Sequence, residues 1–350
     1  MKMKTLIVDK NGALSIGEVS KPSINEYQAL VKMIACGVCN GTDTKLIHGN
    51  FKGFSYEKDY PMMLGHEGVG RVAEVGAKVS GYKVGDVVLL PFAGPLDGVH
   101  CGWGAYSEYG VVNDAKALAD AGIAVGAASF PDCAFGQNIV PPDIDPVDSV
   151  MIITLREVLS SIKTFGISAN QSVVIFGCGP VGMTFIRFLS LLGVHPIIAF
   201  DIDGSKLEAA VANGAAYAYN SNNLDVAGSV REICPGGVDC VIDAVGVLGL
   251  INQGLRLIKD RGKICCYGIS PDCRMELDWA DAPYNWNICF QQFPSKIEEG
   301  ETHAQILAWL RSGAINLKDY ISDYVEFKDI ISAFERLERR EIKLKCVIKY

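Results

Sequence analysis

Two stretches of this sequence combine residue types that can do chemistry. The first third contains Cys36-Gly37-Val38-Cys39-Asn40-Gly41-Thr42-Asp43 and, further on, Gly65-His66-Glu67-Gly68. A thiolate, an imidazole and a carboxylate that converge on one point form a zinc site, since all three are ordinary donors to that ion. Two other readings compete. Cys36 and Cys39 could be a thioredoxin-type redox pair, but such a pair opens a helix in a βαβ unit, whereas Cys36 ends an apolar, strand-like run. His66, taken alone, could be a core histidine in a turn.

The second stretch is Gly177-Cys178-Gly179-Pro180-Val181-Gly182, a G-x-G-x-x-G run. It follows the apolar run 172–176, opens a helical pattern, and precedes Asp201 by 19 residues counted from Gly182. In that context the glycines read as a dinucleotide turn. Gly177 permits the tight turn, Gly179 lets the backbone approach a pyrophosphate, and Gly182 lets the helix pack on the strand. The pyrophosphate charge would rest on the helix N-terminus. Asp201 would accept hydrogen bonds from the adenosine ribose hydroxyls and repel a 2'-phosphate, which favours NAD over NADP. The blander reading is that Asp201 and Asp203 start a turn or cap the next helix. Lys206 either reaches the same ribose or is a solvated helix-face lysine.

The elements that must position these residues fall into two rhythms. Up to about residue 150 the chain reads as short strands (29–36, 68–75, 84–90 and 105–112) separated by glycines, the pattern of a small β-barrel-like domain. Beyond it, Leu155, Val158, Leu159 and Ile162 recur with helical spacing. Strands (172–176, 196–200, 238–243, 262–268) then alternate with helical runs (183–192, 206–213, 250–258). That alternation predicts βαβ units and a doubly wound parallel sheet of the Rossmann kind. Two more helices (302–311 and 327–339) precede a strand at 345–349. The Ala- and Gly-rich segment 117–137 fits neither rhythm and reads as an inserted loop or short helix.

At 350 residues the chain exceeds what one core usually fills, so two domains are expected. The formal net charge is -8, without Lys/Arg clusters, which argues against nucleic acid or an anionic membrane as partner. No signal peptide and no membrane span is apparent, and a cytoplasmic protein is expected. The 12 cysteines show no compact framework and read mostly as small buried hydrophobes.

Taken together, these motifs resemble the zinc-dependent medium-chain dehydrogenase/reductase superfamily, especially its polyol, sugar and threonine dehydrogenase-like branches. The likeness runs through Cys-x-x-Cys-x-x-Thr-Asp, Gly65-His66-Glu67-Gly68-Val69-Gly70, Gly85-Asp86-Val87-Val88, Gly104-Ala105-Tyr106-Ser107-Glu108-Tyr109, the glycine fingerprint and Val238 to Gly246. The resemblance implies a GroES-like catalytic domain (1–150, with 291–350 returning to it) and a Rossmann NAD-binding domain (151–290). It implies one catalytic zinc in a cleft between them, NAD, a small alcohol or carbonyl substrate, and a homodimer or homotetramer. Residue by residue, it makes Cys39 and His66 zinc ligands and Glu67 a ligand or a neighbour exchanging with water. Thr42 becomes the proton-passing hydroxyl and Asp43 the residue that orients His66. Pro180, Val181, Val245, Gly268 and Ile269 join the fingerprint glycines, Asp201 and Lys206 around the cofactor.

Three departures from the family stand out. Asn40-Gly41 adds a residue before Thr42. The family's third protein ligand falls at Ile153, which cannot bind a metal. Glu157, one turn on, is then a substitute ligand or acid–base group, or else a surface carboxylate paired with Lys163 or Arg156. Only Cys101 remains between residues 90 and 110, so no structural zinc is expected. The family's relay histidine falls near Lys45, and His48 is expected at the cleft rim. Phe51, Tyr56, Trp103, Trp279 and Trp286 are candidates to line the cleft. Two alternatives stay open: a zinc-free reductase of the same fold, and a dinucleotide-binding protein without enzymatic activity.

Overall fold

Met1–Arg156 and Ser295–Tyr350 fold together into one unit, and Glu157–Pro294 forms a second, in a computed structural model that describes residues 1–350. The second unit is a six-stranded parallel sheet. Its strand order is Tyr217–Asn220, Ile197–Asp201, Val173–Phe176, Val238–Asp243, Ile258–Cys266 and Trp286–Phe290. Counted within the unit this is 3-2-1-4-5-6, the doubly wound Rossmann order. The strand Val173–Phe176 is buried at every position, as a parallel strand covered on both faces must be. Around it Val174, Phe176, Ile198, Phe200, Val241 and Ile264 form the core of this unit.

The first unit is built on a seven-stranded sheet. Its strand Gln28–Gly37 pairs antiparallel with Glu67–Val75, Tyr109–Asn113 and Lys345–Lys349. A smaller four-stranded sheet contains Lys2–Val8 and Leu14–Ser20. The chain thus returns, after the second unit, to complete the sheet it began.

Several element bounds differ from those expected. The strand at 84–90 shrinks to Val87–Leu89, because Gly85 takes a left-handed φ of 98° and turns the chain. The strand at 105–112 starts only at Tyr109. Before it, the Ala105 and Tyr106 amides donate to Gly65 and Leu64 carbonyls at 2.8 and 2.9 Å. The helix at 206–213 is a 3-10 turn, Gly204–Lys206, followed by Leu207–Ala212. The helix expected over 250–258 ends at Leu255, and Ile258 already opens the strand to Cys266. The helix at 302–311 starts earlier, at Lys296, where Ser295 and Glu298 form a reciprocal capping box. The segment 117–137 is not loose. Asp114 caps the helix Ala115–Asp120, a second turn spans Cys133–Gly136, and Leu118, Phe130 and Ala134 make a small core of their own.

Candidate metal and dinucleotide sites

The strand Gln28–Gly37 ends where its two neighbours bring their own side chains. Gly37 pairs with Glu67 on one side and with Val347 on the other. Beyond it the chain turns into the helix Asn40–Ile47, with Cys39 as its N-cap residue. The left-handed φ of 96° at Gly65 turns the chain into His66. Cys39, His66 and Glu67 are thereby brought together, each offering a donor atom within 4.8 Å of the others. Cys36 lies at the end of the strand Gln28–Gly37, as its apolar run implies, and only Cys39 stands at the helix start. Cys36 is fully buried within the sheet, and burial, with Asp43 and Glu67 nearby, pushes its thiol well above the usual range. A neutral, inaccessible thiol is a poor redox nucleophile.

Asp43 stands behind His66. It is fully buried, and its Oδ2 accepts hydrogen bonds from the Cys39 amide at 3.0 Å and the Tyr106 hydroxyl at 2.7 Å. Its Oδ1 faces His66 Nδ1 at 3.4 Å. With Nδ1 turned to a carboxylate, Nε2 is the nitrogen left to bind a metal, the usual arrangement for a ligating imidazole. Burial disfavours the charged ring, but the Asp43 carboxylate, joined by Cys39, outweighs it and holds the imidazolium well above its ordinary pKa. The donor set of one sulfur, one nitrogen and one carboxylate oxygen fits zinc.

Glu67 has a second neighbour that the sequence did not announce. Both its oxygens accept from Lys345 Nζ, at 2.8 and 2.7 Å, and Thr154 Oγ1 donates to Oε1 at 3.3 Å. Glu67 and Lys345 are buried.

The remaining expected residues are distributed as follows. Thr42 is buried in the first turn of the Asn40–Ile47 helix. Ile153 is fully buried, and Glu157, on the helix Met151–Thr164, is not in the converging donor group. Lys45 Nζ donates to the Gly41 carbonyl at 2.8 Å, and burial pulls its pKa down. His48 lies on the surface, 3.3 Å from Glu338. Of the aromatics, Trp103 packs against the His66 ring at 5.3 Å between centroids. Phe54 follows at 6.2 Å from Trp103, and Phe51 at 5.7 Å from Phe54. Tyr56 turns away, its hydroxyl donating to the Ile47 carbonyl at 2.6 Å. Trp279 and Trp286 belong to the second unit.

In that second unit, Gly177 adopts a left-handed φ of 98° and its amide donates to the Phe200 carbonyl at 2.8 Å. A side chain on Gly182 would collide with the Gly177 carbonyl, whereas one on Gly179 would meet open space. Gly179 is the N-cap residue of the helix Pro180–Leu191, so the space beside it faces a helix N-terminus. Asp201 ends the neighbouring strand. Its oxygens accept from the Cys178 amide at 2.7 Å and the Asp203 amide at 2.8 Å, and Lys206 Nζ lies 3.5 Å away. Asp203 caps the following turn through Ser205. Asp201 therefore shapes its loops as the bland reading held, and Lys206 leans toward it.

Sequence reasoning missed Asp243, whose buried Oδ1 accepts from the Val245 and Gly246 amides at 2.9 Å each. Burial pushes its carboxyl pKa upward. A side chain on Gly268 would strike the Gly246 backbone, so these two glycine turns need each other. Val245 is about half exposed, and Ile269 is half-buried. An acid closing a strand before a glycine turn was the available signal.

Residues 25–121 match the family described as the alcohol dehydrogenase GroES-like domain, and residues 180–293 match the zinc-binding dehydrogenase family. The chain belongs to the zinc-dependent medium-chain dehydrogenase/reductase superfamily. Within the superfamily it is 27% identical to an alcohol dehydrogenase of Geobacillus stearothermophilus, over 99% of both chains. It is 24% identical to the sorbitol dehydrogenase of Bacillus subtilis (strain 168), over 95% of this chain and 93% of that one. Among solved structures, an alcohol dehydrogenase zinc-binding domain protein from Burkholderia ambifaria shares the fold with a TM-score of 0.82. It is 20% identical, over 100% of this chain and 99% of the other. The first unit is accordingly GroES-like and the second Rossmann-like. No helix is long and apolar enough to cross a membrane.

Proposed function

We propose that this chain is a zinc-dependent oxidoreductase that moves a hydride between NAD and a secondary alcohol, with polyols, sugars and related hydroxy compounds as the substrate class. The convergence of Cys39, His66 and Glu67 within 4.8 Å carries this reading, because a zinc-free reduction needs none of them. When bound, zinc supplies Lewis-acid polarisation of the alcohol oxygen and NAD supplies the hydride acceptor. In this reading one zinc serves catalysis and no second zinc serves structure, and the first unit is the catalytic one.

The chain's own residues do the rest. Cys39 and His66 hold the ion, with Glu67 at its side. Asp43 fixes the His66 ring so that Nε2 faces the metal. The Thr42 hydroxyl accepts the substrate proton and hands it outward. The Gly177–Gly182 turn offers backbone N–H groups and a helix N-terminus to the pyrophosphate. Asp201 accepts the ribose hydroxyls, with Lys206, Val245, Gly268 and Ile269 beside the dinucleotide.

Metal analysis combined with a turnover screen tests the proposal. Purified protein should contain one zinc per chain and reduce NAD with an alcohol from a panel of polyols, sugars and amino alcohols. Cys39→Ser should lose both properties. Metal-free protein that reduces a quinone or an activated double bond would favour the zinc-free reading. Binding of NAD that Asp201→Ala abolishes, with no turnover on any alcohol, would favour a dinucleotide sensor.

A further inference from the structure

The Glu67 carboxylate lies between two positive claims. Its donor atom falls within the group formed with Cys39 and His66, yet both its oxygens are bonded to Lys345 Nζ at 2.8 and 2.7 Å. Thr154 takes a further lone pair of Oε1 at 3.3 Å. The sheet builds this competition. Glu67 and the strand carrying Lys345 flank the same end of the strand Gln28–Gly37, where Gly37 pairs with Glu67 on one side and with Val347 on the other. Gly37 leaves room between them, since a side chain there would collide with the Glu67 carboxylate. Both members of the pair are buried, so neither charge is satisfied by bulk water.

We propose that Lys345 is a positioning residue that holds Glu67 off the metal, making Glu67 a reserve ligand whose engagement Lys345 sets. The inference rests on the zinc reading above. A carboxylate can give its lone pairs and its charge to the ammonium or to a divalent cation. With Lys345 present, Cys39 and His66 are the two standing protein ligands, and the coordination positions that Glu67 would fill stay open to substrate and water. Neutralising Lys345 transfers the carboxylate to the metal, closing the site and tightening its grip.

The test uses the whole chain: wild type, Lys345→Met, and Lys345→Met combined with Glu67→Gln. Zinc affinity is measured by competition with a chromophoric chelator, and ligand-field bands are recorded after cobalt(II) substitution. Lys345→Met should bind zinc about tenfold more tightly or better, the scale on which a ligand's immediate partner changes metal affinity. Its cobalt bands should shift. The double variant, which lacks both charges, should return to wild-type affinity and spectrum. If Lys345→Met does not fold, as circular dichroism will show, Lys345→Gln carries the same expectations, with Lys345→Arg as the variant that restores wild-type behaviour. Unchanged or weaker zinc binding in the neutral variants overturns the proposal. Tighter binding with unshifted cobalt bands also overturns it, because charge alone would then explain the gain. A wild-type chain that binds no zinc sinks the zinc reading first, and this inference with it.

Discussion

Asp43 Oδ1 and His66 Nδ1 lie 3.4 Å apart, and neither atom has any other hydrogen-bond partner. Two buried polar atoms left only to one another are costly unless they serve each other. The pair acts as a strut that aims the imidazole. Asp43→Asn preserves shape but removes the charge, so zinc affinity should fall about 10- to 100-fold. Chelator competition on the purified variant measures this; an affinity equal to wild type would show that the carboxylate does not support the ring.

The same pair predicts opposite pH responses of the metal-free and metal-loaded protein. Burial works against the His66 imidazolium, but Asp43, with Cys39 adding to it, wins and the folded pKa lies well above 6.5. The charged ring therefore stabilises the metal-free fold fully below about 6.5, and this contribution fades as pH rises through the raised pKa. Zinc needs the neutral ring and displaces that proton, so its affinity should rise over the same range. Thermal melts of metal-free wild type and Asp43→Asn, compared from below about pH 6.5 upward, isolate the effect as the difference between the two curves. A constant difference would contradict the assignment.

Two neighbouring glycines should fail in different ways. Gly182→Ala drives a methyl group into the Gly177 carbonyl and should destabilise the fold by roughly 1–3 kcal/mol, visible in a melting curve. Gly179→Ala meets open space at an ordinary φ of -73°, so the fold should stand. Its methyl group would occupy the approach of the pyrophosphate, and calorimetric titration should show NAD affinity lost. Equal stability losses in both variants would deny Gly179 its role at the phosphate.

Trp103 holds a left-handed φ of 68°, a strained choice for a bulky residue, and lays its ring against His66. Trp103→Ala should raise KM for a long-chain secondary alcohol by roughly tenfold or more, since burying such a side chain is worth on the order of 1.5–3 kcal/mol. The KM for 2-propanol should change far less. Equal changes for both alcohols would remove Trp103 from the substrate wall.

What could be read from the sequence was whatever local spacing encodes. The fingerprint glycines, Asp201 and the alternating apolar runs of the second unit each follow from short-range rules, and the parallel sheet follows from their repetition. Cys39, His66 and Glu67 were visible as residue types, and their meeting depended on a register that no single segment states. Lys345 was invisible, because a lysine in a strand looks solvated until a carboxylate 278 residues away is laid beside it. The missed helix start at Lys296 is a different failure. Ser295 and Glu298 spell a capping signal in the sequence, and the weak apolar periodicity that follows concealed it. Trp103 owes its place to a backbone twist between two glycines, which residue type alone does not predict.

The return of the chain to its first sheet has a consequence for biosynthesis. The strand Gln28–Gly37 emerges from the ribosome early, yet one of its edges waits for Lys345–Lys349. The Rossmann-like segment, contiguous from Glu157 to Pro294, can fold while that edge is still bare. Until those last residues are made, the ammonium that holds Glu67 does not exist, so the finished geometry of this corner is set by the end of the chain.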